Sequence, residues 1–495
     1  MKLYSLGYDV GSSSIKCSII EVESGNVAAQ DFYPQEEMAI NSPKAGWAEQ
    51  DPNVWWEYAK LLTKKLLSEN KIDGKLIASI GISYQMHGLV LVDEKQNVLR
   101  PSIIWCDSRA VEVGNKAFEK IGKEKCLTNL LNSPGNFTAS KLRWVKENEP
   151  DIYKKISKIM LPGDFLAMKL TGEINSTISG LSEGIFWDFK NNSLSKDILS
   201  VYEIDESILP QTNPTFSIQG KINKKIAEEL GLNENAVISY RAGDQPNNAF
   251  SLNVLKPGEV AATAGTSGVV YGVIDQVNYD KFSRVNQFAH VNHTNEIIRL
   301  GVLLCINGTG IQNSWMRKNV AQGLSYEEIN NLANKISIGS DGLMVIPFGN
   351  GAERVLENKN IGSQIVGVDF NRHGKAHLLR AAQEGIAFSF KYGVDIMKEM
   401  GLKISVIRAG KANMFLSNIF RETLADITGA SIELYNTDGA QGAARGAAYG
   451  AGLYKSFEET FKSLNKVGEV NPNKNNSSQA LEVYDKWLNH LKKFL

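Results

Sequence analysis

One pattern occurs twice in this chain, and few architectures accommodate it. An apolar strand, Leu3 to Val10, runs into a Gly/Ser turn, Gly11 to Ser14, and out again through Ile15 to Val22. Roughly 250 residues later, Glu259 to Thr263 leads into Ala264–Gly265–Thr266–Ser267–Gly268, and Val269 to Ile274 runs out as a strand. The two copies agree in pattern, not in identity, which suggests a duplicated α/β unit. The chain has 495 residues, too many for one compact core. At about 100–200 residues per domain it holds two to four. We place one boundary near residues 248–256, giving a first domain over 1–250, a second over 251–454 and a tail over 455–495.

Around the first copy, the turn Glu23–Asn26 and a third strand, Val27 to Phe32, complete a meander. A helix is expected after Asp51–Pro52, with Trp55, Tyr58, Leu61, Leu62 and Leu66 on its apolar face. A buried strand follows from Ile77 to Ser83. Strands alternating with helices indicate an α/β fold. Helical signal returns from His377 to Met400 and from Asn413 to Ile427. Gly442, Gly446 and Gly450 recur every fourth residue among alanines, the mark of a helix packed closely on a neighbour. Residues 468–479 are polar and read as a loop. A final amphipathic helix, with Leu481, Tyr484, Leu488 and Leu491 on one face, is expected to dock on the body.

Composition removes several function classes. Lys plus Arg and Asp plus Glu both number 54, so there is no basic excess for nucleic acid. No apolar run approaches the ~18 residues of a membrane span. The N-terminus reads as a first strand, not a signal peptide. Four scattered cysteines without a CxxC spacing read as reduced thiols of a cytoplasmic protein. There is no GxxxxGK[ST], no GxGxxG opening a helix after the first strand, no GxSxG and no HExxH.

Five short segments carry candidate chemistry. In Gly7–Tyr8–Asp9–Val10–Gly11–Ser12–Ser13–Ser14, backbone N–H groups and hydroxyls can form an anion site. Asp9 would repel that anion unless a cation lies between them, so the segment makes sense for Mg²⁺ with phosphates; an ordinary hairpin with a turn-capping Asp is the alternative. Gly265–Thr266–Ser267–Gly268 offers the same donors without a carboxylate, and is also a common hairpin composition. Gly243–Asp244–Gln245 places a carboxylate at a strand exit, either as the base that deprotonates an attacking hydroxyl or as a helix cap. Gln85–Met86–His87–Gly88 and Trp105–Cys106–Asp107–Ser108–Arg109 offer polar groups beside apolar faces, which suits a polyol; a satisfied core histidine is the alternative for His87.

In order, these segments resemble the FGGY carbohydrate kinases. The resemblance runs from Tyr4 to about Gly452, and also rests on Trp47-Ala48-Glu49-Gln50-Asp51-Pro52, Leu161-Pro162-x-Asp164 and the Gly-rich segment from Gly439. The Met-His-Gly form is similar to the xylulokinase branch. The resemblance implies two ribonuclease-H-like domains of the actin and hexokinase type around an interdomain cleft. It implies transfer of the ATP γ-phosphoryl group to a ketopentose hydroxyl, D-xylulose foremost, with ribulose, fuculose or glycerol as other acceptors. Asp244 would be the general base and also touch the sugar. Asp9 would be the Mg²⁺-associated carboxylate, and Met86, His87 and Trp105 the sugar contacts. Ser12, Ser13, Gly265, Thr266 and Ser267 would hold phosphates, with Gly310, Gly410 and Asn413 toward the ribose or adenine. The implied partners are a small-molecule sugar and ATP, without nucleic acid or membrane, and a homodimer is the assembly to test. Departures include Gln245 where Asn is usual, Gly-Ser-Ser in the first turn, and Arg408–Ala409–Gly410–Lys411–Ala412–Asn413 in place of Gly-Gly-Gly-Ala. A sugar sensor or an actin-like ATPase would be the reading from another class.

Overall fold

The computed structural model describes residues 2–495 and contains two large sheets. The first lobe opens with β1 (Tyr4–Val10), β2 (Ile15–Glu21) and β3 (Val27–Tyr33), followed by α1 (Pro52–Glu69) and β4 (Ile77–Tyr84). Further on lie α2 (Thr138–Asn148), α3 (Ile178–Glu183), β5 (Phe216–Lys221), β6 (Val237–Gly243) and α4 (Asp244–Ser251). The sheet order is β5-β6-β4-β1-β2-β3, with β6, β4 and β1 parallel. Leu6, Tyr8 and Val10 belong to a core that includes Trp55, Ala59, Leu62 and Leu66 of α1. Leu61, expected on that face, is 41% exposed. The true stripe runs through Ala59 and Thr63 instead, and the Thr63 hydroxyl is hydrogen-bonded to Tyr8.

The second lobe repeats the arrangement. β7 (Glu259–Ala264) and β8 (Gly268–Ile274) form its hairpin. They are followed by β9 (Asn286–Ala289), β10 (Leu300–Ile306), α5 (Gly310–Asn319), α6 (Lys375–Glu399), β11 (Val406–Gly410) and α7 (Asn418–Thr428). The chain ends with β12 (Ser431–Tyr435), α8 (Gly439–Gly450), β13 (Lys466–Val470) and α9 (Lys474–Leu491). Its sheet order is β9-β10-β8-β7-β11-β12-β13. Residues 413–416 form a 3₁₀ turn, so the helix expected from Asn413 begins at Asn418, capped by Ser417.

The segment read as a loop over 468–479 is corrected. Its first residues complete β13, which pairs antiparallel with β12 at the sheet edge, and its later ones begin α9 after an Asn473 cap. An edge strand buries little of itself, so its polarity resembled a loop. α9 does dock on the body, but through Ala480, Tyr484, Trp487 and Leu491, with the Trp487 indole N–H on the Val345 carbonyl; Leu481 is exposed.

Helix α8 interlocks the two halves. It comes from the second half of the chain yet lies on the first sheet, where Gly7 of β1 and Gly81 of β4 admit its backbone. A Cβ on either glycine would stand 2.0 Å from a helix carbonyl, Ala440 for Gly7 and Ala443 for Gly81. Ser5 and Ser239 hydroxyls donate to the Ala444 and Ala447 carbonyls at 2.7 and 2.8 Å. The glycines at every fourth position do what their spacing implies. Gly442 faces Ser251, Gly446 the Tyr240 ring and Gly450 the Ser239 carbonyl, all too close for a side chain.

Candidate active site

The parallel strands β1, β4 and β6 end on the same edge of the first sheet, where ligands collect in open α/β sheets. Asp9 pairs in register with Ser83, whose hydroxyl donates to Asp9 Oδ1 at 2.8 Å. Asp9 Oδ2 lies 3.8 Å from Lys16 Nζ and leaves room for no side chain at Gly439. Asp244 follows β6 directly and is the first residue of α4, which begins without a side-chain cap bond. The capping alternative therefore falls away. Burial first, then the charge of Asp9, pushes the Asp244 carboxyl up to about 7, while Lys16 pulls the other way. Burial and Asp9 also raise Asp438, the cap of α8, whose side chain accepts from the Gln441 N–H at 2.9 Å. Asp9 and Asp244 thus share one electrostatic field at the end of the sheet.

No group of three or more His, Cys, Asp or Glu side chains able to hold a metal occurs among the described residues. A Mg²⁺ carried mainly by nucleotide phosphates and waters takes only one or two carboxylates from the protein. Asp9, with one oxygen on Ser83 and like charges around it, fits that part.

Beside Asp244 stands the segment expected to meet a polyol. A Cβ on Gly243 would fall 2.5 Å from Met86 Cγ and 2.5 Å from Glu183 Oε2, so this glycine lets Met86 close against the residue that precedes Asp244. His87 has a left-handed backbone, φ +63°, and its Nδ1 lies 3.0 Å from the Glu183 carbonyl. A carbonyl only accepts, so Nδ1 carries the hydrogen and Nε2 is left as an acceptor. Burial, then the Lys141 charge, drives His87 down to about 3, so the ring is neutral at physiological pH. It lies edge-on to Phe137 at 4.7 Å and 5.3 Å from Phe288, a second-lobe residue. His87 thus keeps Nε2 as a free acceptor. Trp105 is 53% exposed, and its Nε1 donates to Ser12 Oγ at 3.3 Å, which joins the Trp105 segment to the first Gly/Ser turn.

Two motifs prove to be supports. The Ala48 N–H donates to Asp107 Oδ2 at 2.6 Å, Arg109 pairs with Glu49 at 2.8 Å, and its guanidinium lies 3.8 Å from the Trp47 ring centre. Asp164 is likewise spent on a buried ion pair with Arg241 at 3.0 Å.

Sequence reasoning missed Lys141 and Glu183. Lys141 is fully buried in α2, and its ammonium donates to the His87 carbonyl at 2.7 Å and the Ile104 carbonyl at 3.0 Å. It therefore ties the His87 turn to the residue before Trp105. Burial lowers Lys141 to about 7, so the side chain is only partly charged at neutral pH; Lys141→Met should still raise the KM for the acceptor about tenfold, given ~0.5–1.5 kcal/mol for each of its two hydrogen bonds. On the activity that the resemblance implies, the KM for ATP should stay within a factor of about two. Steady-state kinetics with each substrate varied in turn checks this; equal shifts in both would contradict it.

The second Gly/Thr turn opens on a cavity of about 430 Å³ lined by Gly265, Thr266, Gly310, Ile311, Tyr326, Asn413, Met414 and Leu416, among others. The Gly310 and Ile311 N–H groups donate to the Gly265 and Thr266 carbonyls at 2.9 and 3.0 Å, so α5 starts against this turn with its positive end. Asn413 takes φ +53° there. Ser267 and Gly410 are not among the lining residues. Arg408 is engaged with Glu259 and Glu433 across the strands, and so does not enter the cavity's chemistry. Tyr326, Met414 and Leu416 add apolar surface suited to a base, contributed by segments far apart in the chain.

No described helix is long and apolar enough to cross a membrane. The family models of the FGGY carbohydrate kinases match this chain over both halves: the N-terminal domain over residues 4–251 and the C-terminal domain over 260–453. A xylulose kinase of Staphylococcus epidermidis is 30% identical over 97% of this chain and 94% of its own length. The crystal structure of a xylulose kinase from Brucella ovis superposes with a TM-score of 0.88 at 25% identity, covering 98% of both chains. That of a gluconate kinase from Lactobacillus acidophilus superposes with a TM-score of 0.90 at 21% identity, covering 100% of this chain and 98% of its own, and shows the shared fold.

Proposed function

Since the chain belongs to the FGGY family of carbohydrate kinases, phosphotransferases with an alcohol acceptor and ATP as donor, we propose that its acceptor is a ketopentose, D-xylulose foremost, phosphorylated on its 5-hydroxyl. The observation that carries this reading is the close approach of Met86 to Gly243, the residue before Asp244, which supports a polyol site beside that carboxylate. The ketopentose lies between Trp105 and the Met86–His87 turn, and one hydroxyl donates to His87 Nε2. The terminal hydroxyl approaches Asp244. As its oxygen attacks the γ-phosphorus, its proton passes to the Asp244 carboxylate and ADP departs. Ser12, Ser13 and the Thr266 turn position the phosphates. Mg²⁺, held by Asp9, would supply charge neutralisation on the phosphate oxygens. Closure of the lobes would exclude water, the competing acceptor.

The relative named as a xylulose kinase supports the ketopentose, while the gluconate kinase structure shares only the fold. An ATPase without a sugar acceptor has no use for Met86 against Gly243 and a neutral His87 imidazole with a free acceptor nitrogen. The four cysteines are free thiols, in keeping with a reducing cytoplasm. The test is coupled ADP release across D-xylulose, D-ribulose, L-fuculose, gluconate and glycerol, with and without Mg²⁺. D-xylulose should give the highest kcat/KM by about tenfold or more, the discrimination that one well-placed buried hydrogen bond provides. A higher kcat/KM for gluconate or glycerol would reject the ketopentose.

A further inference from the structure

Away from the cleft, the turn between β2 and β3 of the first lobe meets α8 and the segment before β13. A polar hollow of about 220 Å³ lies there, lined by Gly25, Asn26, Asn436, Gln441, Arg445 and Asn465, among others. It shares no lining residue with the nucleotide cavity. Arg445 is 3% exposed, yet among the described residues no carboxylate lies within ion-pair distance of it. Its Nη1 donates to Thr437 Oγ1 at 2.9 Å, and its buried Nε has no acceptor. Of the two groups whose charge favours the Arg445 cation, Tyr454 acts more strongly than Asp438, yet its buried hydroxyl makes no hydrogen bond, and the Asp438 carboxylate is already committed to the Gln441 N–H. A buried cation without a partner costs several kcal/mol, and a charged side chain in that position calls for an anion. None of the lining residues is acidic, and Asn26 and Asn436 bring amide groups that can donate, while Asn465 already gives one N–H to the Ser463 carbonyl at 3.2 Å.

The geometry points to a binding site for a phosphate-sized oxyanion, seated on the Arg445 guanidinium with amide donors around it. Guanidinium and phosphate match in shape as well as charge. The anion would lie between the lobes, because Ser463 of the second half already donates to the Gly25 carbonyl of the first at 2.6 Å. Its source is either free phosphate or the phosphoryl group of an ester.

The test is calorimetric titration of the full-length protein with inorganic phosphate, after a non-hydrolysable ATP analogue has filled the catalytic cleft. The wild type should show one saturable site. Arg445→Met should weaken it about tenfold or more, the loss expected from a charge-assisted hydrogen bond. Asn436→Asp, which places a carboxylate where the anion would sit, should weaken it as much. Both variants should keep wild-type sugar phosphorylation in phosphate-free buffer, so binding here is separable from the kinase reading. Displacement by glycerol 3-phosphate assigns the site to esters; its failure to displace assigns the site to free phosphate. Absence of saturable binding in the wild type overturns the proposal. So does unchanged affinity in Arg445→Met or, should that variant not fold, in Asn436→Asp.

Discussion

Asp244→Asn should fold, bind both substrates within a few-fold of wild type, and turn over about 10²–10⁴-fold more slowly, the usual contribution of a positioned base. The amide keeps the shape of the carboxylate and removes its ability to take the hydroxyl proton. KM values near wild type with kcat lost would identify an interaction made only in the transition state. A second readout is independent of turnover. The Asp244 carboxyl is pushed up to about 7 by burial and by Asp9, while an unfolded Asp titrates near its ordinary value. A raised carboxylate pKa favours the folded state only while the group is protonated. Its contribution is whole below the unfolded pKa and is lost as pH rises through about 7. Asp244→Asn should therefore melt above wild type at pH 8, with the difference vanishing near pH 4. Activity has the opposite sense: the base must be ionised, so wild-type kcat/KM should fall as pH drops below about 7. Near-wild-type turnover by the variant would remove Asp244 from its role.

Gly81→Val should be among the most damaging substitutions in the chain, costing about 3 kcal/mol or more, at the upper end for overpacking. The new Cβ would meet the Ala443 carbonyl at 2.0 Å, a backbone atom of a buried helix, so no flexible side chain can yield. α8 cannot shift without breaking its other close contacts, because Gly442 meets Ser251 of α4, and Gly446 and Gly450 meet the Tyr240 ring and the Ser239 carbonyl of β6 in the same sheet. Gly410→Ala is the control: nothing stands within 4 Å of its Cβ position and its backbone is not left-handed, so it should leave the melting temperature unchanged. Chemical denaturation of the three proteins decides. Equal midpoints for wild type and Gly81→Val would mean that α8 does not seat on the first sheet as described. Expressed alone, residues 1–250 would leave the face under α8 open to water, so they should not form a stable domain.

Both Gly/Ser/Thr hairpins, and Asp244 at a strand exit, were legible because turn residues and strand patterns are local properties of the chain. Gly442, Gly446 and Gly450 told of close packing, though not that the partner would be the other half's sheet. What stayed hidden depends on distant residues. Lys141 reads as one more lysine on a helix until its ammonium is found on carbonyls 54 and 37 positions away. Glu183 gains its place only through His87 and Gly243. Leu61 fits the apolar stripe of α1 as well as Ala59 does, and only the seating of the helix on β2 and β3 chooses between them. Trp47 and Arg109 belong to a family motif but serve as a buttress, a distinction that spacing alone does not carry.

The measurement closest to the central claim is phosphorus NMR of the product mixture after incubation with ATP, Mg²⁺ and D-xylulose. The account predicts one new phosphomonoester, coupled to the C5 protons and formed in a one-to-one ratio with ADP, and no ADP beyond background when the sugar is left out. ADP released at the same rate with and without sugar, and no phosphomonoester formed, would contradict it.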